Sequence, residues 1–145
     1  MNINNIEPSI WGPSGWTFMH YITLSYPDEP TYQDKTNMKN FFNNVKNVLP
    51  CEKCRINFDK HLEKYPLSDD ILNSRFDLIN WLINIHNEVN IMNNKPVFTY
   101  EKAIHKLIHE KPNDCIIVNS RTAVIIISIF LIIALIFVIK CLSRD

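Results

Sequence analysis

Pro50-Cys51-Glu52-Lys53-Cys54 stands between two apolar helical stretches, which puts a cysteine pair with two intervening residues where a helix begins. The free N–H groups and the dipole of a first helical turn stabilise a thiolate, so a cysteine there is reactive. Three readings of the pair remain open on spacing alone: a dithiol/disulfide redox centre, half of a zinc site, or two packed thiols. A thioredoxin-like reading is disfavoured, because that motif follows a strand in a βαβ unit and this one follows a helix.

The flanking sequence is helical on both sides. Upstream, Thr31 with Asp34 three residues on forms an approximate capping box, and Phe41, Phe42, Val45, Val48 and Leu49 form the core face of the helix it opens. Pro50 ends that helix and suits the start of the next, predicted over residues 51–64. A first helix is predicted over residues 11–25, closed by Tyr26-Pro27. Downstream, Ser68-Asp69-Asp70 caps a fourth helix in which Ile71, Leu78, Leu82, Ile85 and Val89 recur at helical intervals. Lys95-Pro96 breaks the pattern, and Thr99 caps a short fifth helix carrying Ala103, Ile104, Leu107 and Ile108. Little of the chain alternates as a half-buried strand does, so the fold class is all-α, a four-helix bundle with a short fifth helix.

The chain has 145 residues, room for one globular core, and its 15 basic and 15 acidic residues balance without a sustained basic block. No nucleic-acid partner is expected. The opening residues lack the basic and apolar regions of a secretory signal. Residues 123–139 are apolar apart from Ser128, flanked by Arg121 and by Lys140 and Arg144, near the lower limit for crossing a bilayer. They are read as one transmembrane helix, because so small a domain could hardly bury a helix apolar all round. The flanking charges do not set orientation, but a C-terminal anchor without a signal favours a cytosol-facing domain. The expected organisation is a tail at 1–10, a domain at 11–110, a linker at 111–121, a membrane helix at 122–140 and a tail at 141–145.

Two further groups surround the cysteine pair in sequence. Gly12, Trp16 and His20 are spaced one helical turn apart, and present either an aromatic and an imidazole to a flat ring system or an aromatic core stripe. In His86-Asn87-Glu88-Val89-Asn90, followed by Lys95-Pro96-Val97-Phe98, His86 and Asn90 share a helix face with Lys95 just beyond. Donors and a cation there suit an anionic ligand, and the competing reading is a solvated surface. For zinc, His105 and His109 supply the residue types of a two-Cys, two-His site, but the fifty residues between them and Cys54 far exceed a zinc-finger spacing. No metal is expected.

Taken together, Trp11-Gly12 with Trp16 and Met19-His20, Tyr26-Pro27-Asp28-Glu29-Pro30, the CxxC, Trp81-Leu82, and His86-Asn87-Glu88-Val89-Asn90 with Lys95-Pro96-Val97-Phe98 resemble the Erv/ALR FAD-linked sulfhydryl oxidases in order and spacing, over about residues 11–107. The resemblance implies a helical bundle around FAD, with the flavin ring beside the CxxC. It implies cofactor contacts from Gly12, Trp16 and His20 on the first helix and from His86, Asn87, Asn90 and Lys95 around the fourth. It implies that an exposed Cys51 meets a substrate thiol, that Cys54 faces the flavin, that oxygen is reduced to hydrogen peroxide, and that the protein is a homodimer. The chemistry in the dithiol is exchange through a mixed disulfide.

The chain departs from that pattern in three places. Where the family commonly has a structural disulfide, Ile83 and Tyr100 stand instead, and packing is expected to offset a bond worth roughly 2–4 kcal/mol. The late basic-aromatic pair reads Lys106-Leu107. No second CxxC is present, and Cys115 and Cys141 are single thiols expected on opposite membrane faces. A separate redoxin-like protein is therefore the expected thiol substrate, in a setting such as the reducing compartment used by large cytoplasmic DNA viruses, in a host or virion membrane. The rival reading is a non-enzymatic, membrane-anchored helical module with zinc at the CxxC.

Overall fold

The computed structural model describes residues 5–109 and 120–142, the latter without the side chains of residues 120–123, 126, 135, 137, 138, 141 and 142. The chain divides into two units, Met1–Glu110 and Lys111–Asp145. The first holds α1 (Pro8–Leu24), α2 (Tyr32–Val48), α3 (Glu52–Lys64), α4 (Asp69–Leu72), α5 (Arg75–Met92) and α6 (Tyr100–His109), and the second holds α7 (Ser120–Leu142). Every described element is helical, as the periodicity predicts.

Local chemistry sets the helix ends. Thr31 caps α2 through the complete capping box with Asp34, the Thr31 N–H donating to Asp34 Oδ2 at 2.8 Å. At the other end of the chain's first helix, α1 begins at Pro8, so residues 8–10 are helical and not part of a tail. Proline suits that first turn, where its missing N–H has no helical partner to lose. The predicted fourth helix is two helices. Ser68 caps only the single turn of α4, and Ser74 then caps α5, its hydroxyl accepting from Asp77 N at 3.2 Å. Two serine caps six residues apart each satisfy orphan N–H groups, and the second starts the long helix.

α5 is the central helix, packed against α1, α3, α4 and α6. Leu78, Leu82 and Ile85 are wholly buried along it, with Trp81 against Phe42 of α2 at a ring separation of 4.7 Å. The Trp81 indole N–H donates to Tyr65 O at 2.8 Å, which satisfies its polar atom inside the core. Met38 and Phe42 of α2 are buried, and Phe41, Val45 and the C-cap residue Leu49 pack partly buried against the same core, whereas Val48, expected in the core, is exposed. Ile108 is likewise exposed, beyond the stripe that α6 makes with Ala103 and Ile104. The Tyr26-Pro27-Asp28 turn is fixed over the start of α5: Tyr26 OH donates to Leu72 O at 2.9 Å, and the Arg75 guanidinium donates to Tyr26 O and pairs with Asp28 at 3.1 Å.

Ile83 and Tyr100 meet in one apolar cluster with Ile79, Ala103, Leu24, Phe98 and Ile104. Burying one such aliphatic side chain is worth about 1.5–3 kcal/mol, comparable with the cross-link the family commonly carries there. In the second unit α7 runs over the predicted membrane segment, and the described side chains from Val124 to Ile139 that are large and apolar are exposed. Among the described residues no helix is long and apolar enough to cross a membrane, so the anchor at 122–140 stays an expectation. Cys115 and most of the linker at 111–121 lie outside the described residues, as do residues 143–145 and the side chain of Cys141.

Candidate functional site

Cys51 and Cys54 are joined as a disulfide at the start of α3. Cys51 is the N-cap residue, with extended backbone (φ −131°, ψ 124°), and its Sγ accepts from Cys54 N at 3.2 Å. When the disulfide opens, that N–H remains aimed at the Cys51 sulfur and, with the helix dipole, favours its thiolate. The elbow between α2 and α3 is braced on both sides, since Arg55 donates to Leu49 O at 2.6 Å and Lys46 pairs with Asp59 at 2.6 Å. With both sulfurs bonded to each other neither is available to zinc, and His105 and His109 lie against one another on α6 with ring centroids 4.7 Å apart.

The expectation that Cys51 is exposed is corrected. It is 5% exposed, whereas Cys54 is half-buried. The N-terminal segment lies along its backbone: Ile6 N donates to Pro50 O at 2.9 Å, Glu52 N donates to Asn5 Oδ1 at 3.2 Å, and Trp11 Nε1 donates to Ile6 O at 3.2 Å. No sequence pattern marks Asn5 and Ile6, because a single-residue pairing has no periodicity to read.

The two ligand-like groups come together across α1 and α5. The Trp16 ring stacks on His86 at 4.1 Å with a 4° interplanar angle, and His20 Nε2 is 2.9 Å from His86 Nδ1. One of these nitrogens carries the shared proton. Burial pushes the His20 pKa down to about 4, and burial followed by the nearby His20, Lys106 and Lys95 pushes that of His86 down to about 3. Both rings are neutral at neutral pH. Phe58, one turn beyond Cys54 on α3, stands 6.4 Å from Trp16, which sets the disulfide helix on the same side of the bundle as this cluster.

Three observations test whether the cluster fits a flat, polar cofactor such as FAD. The buried His20 Nδ1 and Asn90 Nδ2 have no hydrogen-bond partner, and buried polar atoms are rarely left so without a ligand or water. Gly12 is buried, yet a Cβ there would meet no atom within 4 Å, so open space adjoins its backbone. The residues therefore fit the group.

The remaining predicted residues differ in role. Asn87 spends its amide on the backbone of Phe98, donating to Phe98 O and accepting from Phe98 N, each at 2.9 Å. It thereby holds the end of Lys95-Pro96-Val97-Phe98 against α5, and its cofactor contact stays an expectation. Lys95 is exposed after a tight turn in which Asn94 has φ 53°, and its N–H donates to Asn90 O at 2.8 Å. Lys106 lies 5.1 Å over the Phe98 ring, so the basic residue of Lys106-Leu107 takes its aromatic partner from the loop before α6. A cleft of about 460 Å³ beside them is lined by Phe98, Glu101, Lys102, His105 and Lys106. Glu88 braces α5 to α3, accepting from Lys64 and Tyr65 at 2.7 Å each. Sequence reading missed Phe58, Lys102 and the buried His61, whose pKa burial lowers.

An all-helical unit with a disulfide at a helix N-terminus, beside a neutral aromatic–imidazole cluster with orphaned nitrogens, defines a dithiol/disulfide protein built around a flat ligand site. The Erv1 / Alr family matches residues 13–111, and the chain belongs to that family. It is 49% identical over 102 residues to a probable FAD-linked sulfhydryl oxidase of Acanthamoeba polyphaga mimivirus, covering 70% of this chain and 71% of that one. It is 37% identical over 87 residues to the mitochondrial FAD-linked sulfhydryl oxidase of Saccharomyces cerevisiae, covering 60% of this chain but 44% of the yeast protein. Against the crystal structure of the yeast Erv1 core the TM-score is 0.65 at 28% identity, covering 77% of this chain and 92% of that one. The FAD binding domain of yeast Erv1 gives a TM-score of 0.61 at 34% identity, covering 66% and 88%.

Proposed function

We infer that this chain is an FAD-linked sulfhydryl oxidase that forms disulfide bonds in protein thiols through Cys51 and Cys54. The observation that carries this reading is the Cys51–Cys54 disulfide at the first turn of α3, on the side of the bundle where Trp16 stacks on His86 and where His20 Nδ1 and Asn90 Nδ2 are buried without partners. FAD, when bound, accepts two electrons from a dithiol and delivers them to oxygen to give hydrogen peroxide.

The chain's own residues do the rest. A substrate thiolate attacks Cys51 Sγ, the Cys51–Cys54 bond breaks, and Cys54 leaves as a thiolate within the first turn of α3. A second substrate thiolate then attacks the substrate sulfur of the mixed disulfide and releases Cys51, a leaving group that the Cys54 N–H stabilises. Trp16 offers a flat apolar face, and the neutral His20–His86 pair and Asn90 offer hydrogen-bonding nitrogens. Lys95, with Lys102 and Lys106 at the neighbouring cleft, supplies positive charge for the phosphates, and Asn87 holds the loop that carries Lys95.

The purified chain should be yellow and should consume oxygen when given a dithiol. A colourless protein that stays inactive after added FAD overturns the reading. The same proposal includes a redoxin-like protein as thiol donor, a single-pass anchor at 122–140 with the catalytic unit facing the cytosol, and a homodimer through α1, where Ile10, Phe18 and Tyr21 are exposed. The chain should resist extraction from membranes at alkaline pH, where deletion of residues 122–145 releases it, and should sediment in detergent as two copies. Release of the full chain by alkali removes the anchor from this reading, and a monomer removes the dimer.

A further inference from the structure

Cys51 has the backbone of a β-strand residue although it lies between two helices. In a parallel β-bridge, one residue of the neighbouring chain donates its N–H to the carbonyl before the paired residue and accepts from the N–H after it. For Cys51 those groups are Pro50 C=O and Glu52 N–H. The first accepts from Ile6 N at 2.9 Å, as a bridge requires. The second donates not to Ile6 O, which is turned to the Trp11 indole, but to the Asn5 side chain at 3.2 Å. The chain's own N-terminal segment thus makes half of a parallel bridge with Cys51 and imitates the other half with an amide oxygen.

We propose that Pro50–Cys51–Glu52 is a one-residue docking edge for the cysteine of an extended substrate polypeptide, and that Asn5–Ile6 occupies this edge until a substrate displaces it. This rests on the thiol-oxidase reading above and names how its substrate is presented. Paired residues of adjacent strands lie about 4.8 Å apart and point to the same face, and disulfide-bonded cysteines have Cα atoms about 4.4–6.8 Å apart. A substrate cysteine whose N–H reaches Pro50 O and whose C=O accepts from Glu52 N therefore has its Cα within the separation that a mixed disulfide with Cys51 spans. The exchange balances: the substrate thiolate bonds to Cys51 Sγ, the Cys51–Cys54 bond breaks, and both electrons of that bond leave on Cys54. The substrate's second thiolate then takes the substrate sulfur and returns Cys51 as a thiolate.

The test measures reduction of the Cys51–Cys54 disulfide by alkylation and mass spectrometry, together with oxygen uptake, in the full chain and in a chain lacking residues 2–6. The thiols are an unstructured Cys-x-x-Cys peptide, the same peptide N-methylated at both cysteine amides, and dithiothreitol. Two hydrogen bonds join the segment to this edge, each with a modest net worth. Deletion should raise the peptide's rate at least about fivefold while raising that of dithiothreitol less. N-methylation, which removes the donor to Pro50 O, should lower the peptide's rate about fivefold or more in the deleted chain. Asn5→Ala should shift the peptide's rate in the same direction as deletion, by a smaller factor, in a chain whose helices are untouched. Equal gains for peptide and dithiothreitol, no gain for either, or an N-methylated peptide as fast as its parent each overturn the docking edge. If the disulfide is reduced in the expected ratios while no thiol causes oxygen uptake, the edge stands and the oxidase reading falls.

Discussion

Cys54→Ser should reduce dithiol-dependent oxygen uptake to the uncatalysed background, a loss of a thousandfold or more, while the protein keeps its flavin absorbance. The reason is that Cys54 is the sulfur that must leave when Cys51 is attacked, and a serine in its place cannot form the bond that is broken. Cys51→Ser should be as inactive, so activity alone does not separate the two. Trapping does. Offered a single-cysteine peptide activated as a mixed disulfide with an acidic aromatic thiol, which departs as the leaving group and is a poor returning nucleophile, the Cys54→Ser chain attacks through the Cys51 thiol at the N-cap, where the N–H of residue 54 and the helix dipole favour the thiolate. It should accumulate a mixed disulfide mapped to Cys51 that no neighbouring thiol resolves. The Cys51→Ser chain should accumulate much less at Cys54. If Cys54 traps and Cys51 does not, the two roles are exchanged. If either serine variant turns over at an undiminished rate, the dithiol is not the path of the electrons.

The extent to which this architecture was readable in the sequence follows the range of the interactions. Caps are local, so Thr31 with Asp34 and the start of α3 at the CxxC were legible from side chains three residues apart. Ser68 was legible too, but the break at Asn73 and Ser74 was not, because two adjacent caps compete and only the packing of Leu72 and Leu78 into one core selects the second. The stripe of α5 was legible as periodicity, whereas Val48 and Ile108 carry the same apolar signal as their neighbours and differ only in which way the finished bundle leaves them. At the site, residue types announced Trp16, His20 and His86, yet their meeting joins positions far apart in the chain. That meeting was inferred from family resemblance rather than from spacing. Asn87 shows the remaining gap: its amide suits a ligand in sequence, and only the path of the loop to Phe98 reveals that it also holds backbone. The cover over Cys51 was invisible, since it depends on two backbone groups and one short side chain with no pattern to betray them.

The flavin-free protein should lose stability on mild acidification, before its carboxylates titrate. In the folded state His20 is held near a pKa of about 4 and His86 near about 3, chiefly by burial, whereas in the unfolded chain each returns to about 6.5. Between those values the unfolded state binds protons that the folded state refuses, so stability is fully present above pH 6.5 and declines as pH falls towards the folded values. From pH 6.5 to pH 5 the linkage is on the order of 2 kcal/mol for each histidine, and His61, also lowered by burial, acts in the same sense. For a domain of this size that corresponds to a fall in Tm of at least about 10 °C. Thermal melts of the flavin-free chain at pH 7.5, 6.5 and 5 check it, with a His20→Gln, His86→Gln chain expected to lose most of the dependence. A Tm that stays flat from pH 7.5 to 5 would mean that the two imidazoles accept protons in place. The stacked, hydrogen-bonded pair between α1 and α5 would then be open to water instead of forming the dry wall of a cofactor site.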